Sequence, residues 1–255
     1  MFIMGKFLAF LKIVSMAAGV TLSIQVTSDF LKSDIGKKLI GGRKLQKVKS
    51  FGLEDEHTTV LGITRHGKTY ATMKTLEQCK EGVFFFNQQE EKTPSNFIYA
   101  DSSVHFEDIY NAIRNKKKIN YVPNTNLEIA SRELELIVNR IYEKGHLDCR
   151  FVVDEVHLLN MGDRQKRGLK ACIRVATTGL KRGLKGVWIT QRGALLDNTL
   201  LNQATKHVLF ALGNQDLAYL KSNSFPSEEI GSLANEKYKF VIYDNREVKG
   251  AFKIG

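Results

Sequence analysis

Gly62-Ile63-Thr64-Arg65-His66-Gly67-Lys68-Thr69 reads G-x-x-x-x-G-K-T, set between an apolar run, Thr58-Thr59-Val60-Leu61, and a helix-competent stretch from Tyr70 to Lys80. Glycines at both ends let the backbone curl until its N–H groups point inward, a geometry that cradles phosphate oxygens. The helix that follows turns the positive end of its dipole toward the same anion. Lys68 is a point charge able to reach β- and γ-phosphates, and the Thr69 hydroxyl suits Mg²⁺. A chance match in an ordinary turn is the bland alternative, but the motif requires a strand before it and a helix after it, and both are present. The eight residues Gly62 to Thr69 are thus expected to form a nucleotide site.

A second signal lies downstream. Phe151-Val152-Val153-Asp154-Glu155 is an apolar strand ending in two carboxylates. In a parallel sheet the carboxyl ends of strands share one rim, so these acids are expected beside the loop. Asp154 then suits the Mg²⁺ hydration shell, and Glu155 suits a general base for an in-line water. Solvated strand ends are also often acidic; the pairing with the loop is what favours chemistry. Val187-Trp188-Ile189-Thr190 is another apolar strand, and Gln191-Arg192 follow at its carboxyl end. An amide there can sense a γ-phosphate and orient water, or it can be a satisfied polar group at a strand end.

Between and around these motifs, apolar runs alternate with helical segments, which argues for a parallel sheet with helices on its faces. Val83 to Phe86, Phe97 to Ala100, Ile119 to Val122 and His207 to Leu212 read as strands. Phe106 to Asn115, Leu127 to Lys144, Asp163 to Lys181, Leu195 to Gln203 and a segment opening at Asp216 read as helices. Gly145 is expected to cap the second of these. Lys237 to Tyr243 and Glu247 to Lys253 alternate around Asp244-Asn245-Arg246, as in a terminal hairpin.

With 255 residues the chain can hold one α/β domain and an appendage. Its 38 Lys and Arg against 27 Asp and Glu leave a net charge of +11. Such an excess suits a polyanion, either nucleic acid or an anionic membrane surface. Cys79, Cys149 and Cys172 have no metal-type spacing and read as core residues of a reducing compartment. Neither a zinc site nor a disulfide framework is indicated.

Residues 1–28 are strongly apolar apart from Lys6 and Lys12. A span needs about 20 mainly apolar residues, so a membrane helix or re-entrant anchor competes with a partner-packing helix and a cleaved signal peptide. The signal peptide fits poorly, since it would export a nucleotide-binding domain to where there is no ATP. Lys32, Lys37, Lys38, Arg43, Lys44, Lys47 and Lys49 follow, against only Asp29 and Asp34 up to residue 50. Basic residues beyond an apolar segment mark the cytoplasmic side, although the same patch could track DNA phosphates. The expected organisation is an apolar helix and possible membrane anchor over 1–28, a basic linker over 29–54, and a nucleotide domain over 55–255.

The loop, the Asp154-Glu155 strand and Trp188-Ile189-Thr190-Gln191-Arg192 are followed by Leu200-Leu201-Asn202-Gln203 and Asp216-Leu217-Ala218-Tyr219-Leu220. In this order the set resembles the FtsK–HerA superfamily of DNA-pumping P-loop ATPases. The short domain with its apolar N-terminus looks most like the genome-packaging ATPases of membrane-containing icosahedral phages, of the tectivirus and corticovirus type. The resemblance covers roughly residues 55–222. It implies an α/β, ASCE or RecA-like, mainly parallel sheet in which the carboxylate strand lies next to the loop strand. It also implies ATP and Mg²⁺ as ligands, with Lys68, Glu155 and Gln191 catalytic and Thr69 and Asp154 on the metal. A homo-oligomeric ring, expected as a hexamer, would share each nucleotide between subunits, with Arg174 or Arg182 the candidate trans arginine and Arg192 a weaker one. The chain departs from the family at Asn87, where relatives often carry an acid, and at the bulky Arg65 and His66.

The function this implies is an ATP-driven double-stranded DNA translocase filling a viral capsid, with capsid-vertex proteins as partners and the N-terminus in a membrane. Its place would be the virion vertex or the cytoplasmic face of the host inner membrane. Two other readings compete: an inner-membrane assembly ATPase of the filamentous-phage type, and a structural membrane protein that binds ATP without hydrolysing it.

Overall fold

The computed structural model describes residues 46–160, 162, 166–234 and 236–254. Ten strands form one sheet: β1 (Gln46–Val48), β2 (Thr58–Leu61), β3 (Gly82–Phe86), β4 (Phe97–Ala100), β5 (Lys118–Tyr121), β6 (Cys149–Val153), β7 (Leu184–Thr190), β8 (Lys206–Leu209), β9 (Lys239–Asp244) and β10 (Glu247–Ile254). The helices are α1 (Lys68–Leu76), α2 (Phe106–Arg114), α3 (Leu127–Lys144), α4 (Lys166–Thr178), α5 (Asn198–Gln203), α6 (Asn214–Ser222) and α7 (Ser227–Gly231). Spatial order across the sheet is β1-β10-β9-β8-β2-β7-β6-β3-β5-β4. Pairing is parallel throughout except around β9, which runs antiparallel to β8 and β10. Asn245 and Arg246, with φ of 47° and 68°, turn β9 into β10. Positive φ at both central residues matches the strand twist of a tight hairpin.

Continuous apolar runs are what a parallel sheet covered on both faces needs. Alternate residues go to opposite sides. Phe84, Phe86, Phe151, Val153 and Trp188 pack into the larger core with α2 to α7, while Val83, Phe85, Val152, Val187 and Ile189 pack with α1 and Phe51. The α3 helix begins where the Asn126 side chain accepts hydrogen bonds from the N–H of Glu128 and Ile129, and it stops at Gly145.

Two expectations change. The carboxylate strand β6 is not next to the loop strand β2, because β7 lies between them and pairs with both. The linker does not extend to residue 54 either. Gln46 to Val48 pair in parallel with β10, and Phe51 is buried against Phe240. A strand contributed from one end of the chain to the other end is a long-range pairing that local composition does not reveal. Residues 1–45, with the expected apolar helix and most of the basic stretch, lie outside the described residues. Among the described residues no helix is long and apolar enough to cross a membrane.

His57 and His207, at the N-terminal ends of β2 and β8, are buried, which pushes each pKa from 6.5 down to about 4. Unfolded chains bind these protons below about 6.5, whereas the native state refuses them until about 4. Stability contributed by the neutral rings is therefore present at neutral pH and lost as pH falls across that window. In chemical denaturation at pH 4.5 and pH 7.5, His207→Gln is expected to narrow the wild-type difference; an unchanged difference would count against a buried neutral ring.

Candidate nucleotide site

At the carboxyl rim of the sheet, Leu61 is level with Thr190 on one side and Leu209 on the other, while Val153 is level with Trp188. The last residue of β2 and the two acids after β6 thus reach the same height, one strand apart. Gly62 enters the loop so close to β8 that an added Cβ would lie 2.5 Å from Phe210 Cβ. Its N–H donates to Thr190 O, and that of Ile63 donates to Ala211 O at 2.8 Å. Gly67 leaves the loop at φ 92°, a left-handed conformation that favours glycine.

Ala71 N–H donates to Gly67 O at 2.8 Å, which closes the first turn of α1. Among the described residues, nothing accepts a hydrogen bond from the backbone N–H groups of Thr64 through Tyr70. A run of free donors that opens a helix is an anion cradle. Lys68 Nζ, largely buried, donates to Ile63 O at 3.2 Å. Burial lowers its pKa, while the charges of Glu155, Asp154 and Glu91 raise it. One ammonium therefore stands in the field of three carboxylates.

Asp154 is almost wholly buried, and its Oδ1 accepts the N–H of Glu155 at 3.0 Å. Burial, followed by repulsion from Glu155, pushes its pKa up to about 7. Glu155 sits at φ 45°, unusual for a residue with a side chain. Its Oε2 accepts the Gln191 N–H at 3.2 Å and lies 3.1 Å from His157 Nδ1. The same His157 nitrogen is 2.9 Å from Thr190 Oγ1. The Gln191 side chain meets the hydroxyl of Thr64 in the loop. The strand between loop and acids is therefore a bridge, with its backbone holding Glu155 and its amide holding the loop.

A hard divalent cation suits these oxygens. Asp154 is a buried carboxylate repelled by its neighbour, and Thr69 offers a hydroxyl at the start of α1. Among the described residues no group of three or more His, Cys, Asp or Glu could hold a metal ion.

Sequence reasoning missed His157 and the hydrogen-bond partners of Asn87 and Asp216. Asn87 is fully buried; its Nδ2 donates to Glu91 O at 2.8 Å and to Asn120 Oδ1 at 3.0 Å. The Glu91 N–H returns to Asn87 Oδ1 at 2.9 Å. This clamp folds the polar run after β3 back on itself and brings the charge of Glu91 toward Lys68. His157 went unnoticed because nothing local marks it. Asp216, at the start of α6, accepts the Ala194 N–H at 2.8 Å and so fixes the turn after Gln191.

The two candidate arginines are occupied within their own subunit. Arg174 donates to Asn139 Oδ1 at 2.7 Å and lies 4.0 Å from the Tyr142 ring centroid. Arg182 donates to Tyr142 O at 3.0 Å, just before β7 and hence at the end of that strand away from the loop. Arg192 lies 3.9 Å from Asp216. Arg65 and His66 are on the loop itself; Arg65 is exposed, and His66 Nδ1 is 3.0 Å from Thr64 O.

No family model matches the chain, and no curated protein does. Among solved structures, the chain is similar to the genome packaging NTPase B204 of Sulfolobus turreted icosahedral virus 2 in complex with ATP-γ-S. The TM-score is 0.58 at 15% identity, over 79% of this chain and 98% of that one. The sulfate complex of the same NTPase matches at TM-score 0.59 and 17% identity, over 79% and 97% of the two chains. The plasmid coupling protein TrwB, in complex with the non-hydrolysable GTP analogue GDPNP, matches at TM-score 0.57 and 11% identity, over 88% and 92%. At these identities the likeness carries the fold.

Proposed function

We propose, from the fold it shares with the FtsK–HerA superfamily P-loop ATPases, that this chain hydrolyses ATP to move double-stranded DNA, and that the DNA is a viral genome being packaged. The observation that carries the reading is the bridge through Gln191, whose N–H holds Glu155 and whose side chain meets Thr64 of the loop. General base and phosphate cradle are thereby tied to one strand end.

In this reading the free N–H groups of the loop and Lys68 hold the β- and γ-phosphates and offset charge that develops on them. Glu155 takes a proton from a water aligned with the γ-phosphorus; the water oxygen bonds to phosphorus as the bond to the ADP oxygen breaks. Mg²⁺, held by Thr69, Asp154 and the triphosphate, would neutralise phosphate charge. Gln191 reports the state of the γ-phosphate to the loop and to the turn fixed by Asp216.

Three observations support DNA as the partner. The net charge is +11. The outer face of α4 exposes Lys166, Arg167, Lys170 and Arg174, with Lys181 just beyond. B204 is described as a genome packaging NTPase. Function as a homo-oligomeric ring, with an arginine supplied by a neighbour, belongs to the same proposal. So does anchorage of the apolar residues 1–28 in a membrane at a capsid vertex.

Steady-state ATP hydrolysis by the full chain, with and without duplex DNA, tests the proposal. Duplex is expected to raise turnover, and the stimulation should fade between about 50 and 200 mM salt as phosphate contacts are screened. Hydrolysis indifferent to DNA at low salt would sink the translocase reading.

A further inference from the structure

We propose that Tyr238, with Tyr70 against it, is the platform on which the purine base of the nucleotide stacks. The inference rests on the nucleotide reading above and adds the part of the site that recognises the base. Tyr238 lies in the turn before β9, remote in sequence from the loop, yet its N–H donates to His66 O at 3.1 Å. Its ring sits directly on the backbone of Gly67, where an added Cβ would lie 2.5 Å from Tyr238 Cδ1. Glycine at position 67 therefore does two things: it takes the φ of 92°, and it leaves room for this ring.

Tyr238 itself has φ 63°, a conformation that costs a side-chain-bearing residue free energy and that surrounding contacts must hold. The His66 hydrogen bond and the Glu236–Lys239 ion pair at 2.8 Å hold it. Tyr70 stands edge-on, with ring centroids 6.2 Å apart and planes at 76°. Despite this packing, Tyr70 is 48% and Tyr238 44% exposed. Large exposed rings scattered singly are ordinary, but two in contact at the mouth of an anion cradle form a surface that a planar ligand can cover.

Direction decides which part of the nucleotide meets them. Lys68, Asp154 and Glu155 mark the end of the site where the terminal phosphate belongs. The free N–H groups run from Thr64 to Tyr70, so the phosphate chain leaves the loop past the first turn of α1. Tyr70 is on that turn and Tyr238 beside it. The ligand class is a purine nucleotide; stacking reads the face of a ring and not its hydrogen-bonding edge, so adenine and guanine should both be accepted.

Calorimetric titration of the full chain with ATP and with inorganic tripolyphosphate, which has no base, separates the parts of the site. Wild type should bind ATP more tightly than tripolyphosphate. Tyr238→Ala should weaken ATP by roughly ten- to a hundredfold and leave tripolyphosphate unchanged, while Tyr238→Phe, which keeps the ring, should bind ATP as wild type does. Equal wild-type affinity for the two ligands would overturn the platform and leave the phosphate site standing. Equal losses for both ligands in Tyr238→Ala would overturn it too, since the ring would then merely prop the loop. Failure of wild type to bind either ligand would overturn the nucleotide reading, and the platform with it.

Discussion

Replacing Glu155 by Gln should lower ATP turnover by roughly 10²–10⁴-fold, the range that general base catalysis supplies, while ATP still binds. The side chains have the same shape, and the amide oxygen can accept the Gln191 N–H that Oε2 accepts at 3.2 Å. In the proposed mechanism, what is lost is the carboxylate that would receive the proton of the attacking water. Binding should hold or improve slightly, because Asp154 and Glu155 repel one another and removing one charge eases the approach of a polyanion. Turnover and the ATP dissociation constant, measured on the same preparation, check this. Turnover within a few-fold of wild type would remove Glu155 from the chemistry; turnover and affinity falling together would mean that the substitution had disturbed the loop through Gln191 and Thr64.

Lys68→Met should weaken ATP by roughly ten- to a hundredfold, which corresponds to about one charge-assisted hydrogen bond. Methionine retains most of the buried methylene packing, so the change isolates the ammonium. That group stands near Glu155, Asp154 and Glu91 while burial works against its charge. Without it, the carboxylates face incoming phosphates uncompensated, and tripolyphosphate should suffer as much as ATP. This pattern is the opposite of that expected for Tyr238→Ala, so the two variants divide the site into a phosphate half and a base half. A Lys68→Met protein that binds both ligands as wild type does would show that the lysine belongs to the core and not to the cradle.

Much of this site could be read along the chain, because its parts are local patterns. Glycines spaced around Lys68, apolar residues ending in Asp154-Glu155 and an amide after Thr190 each need only a few consecutive residues. The same holds for α3, Leu127–Lys144, where apolar positions at helical spacing run from Leu127 to Ile141 between Asn126 and Gly145. Helix ends elsewhere moved by a few residues. The expected helix Leu195 to Gln203 is a tight turn, Gly193–Leu195, followed by α5, because Asp197 caps the helix anew with a bond from Thr199 N–H. The expected strand from His207 ends at Leu209.

The amino-acid order by itself pointed to the site's parts: a glycine-flanked loop with a lysine, a pair of acids at a strand end and strands apolar enough for a doubly covered sheet. Tertiary structure alone decided who neighbours whom. It set β7 between loop and acids, brought Gln46 to Val48 alongside the last strand, folded Glu91 toward Lys68, and laid Tyr238 on Gly67. The reason is physical. Periodicity and turn chemistry act over a few residues, whereas strand order and cross-chain packing depend on which distant surfaces bury the most area together, and a linear pattern carries no record of that choice.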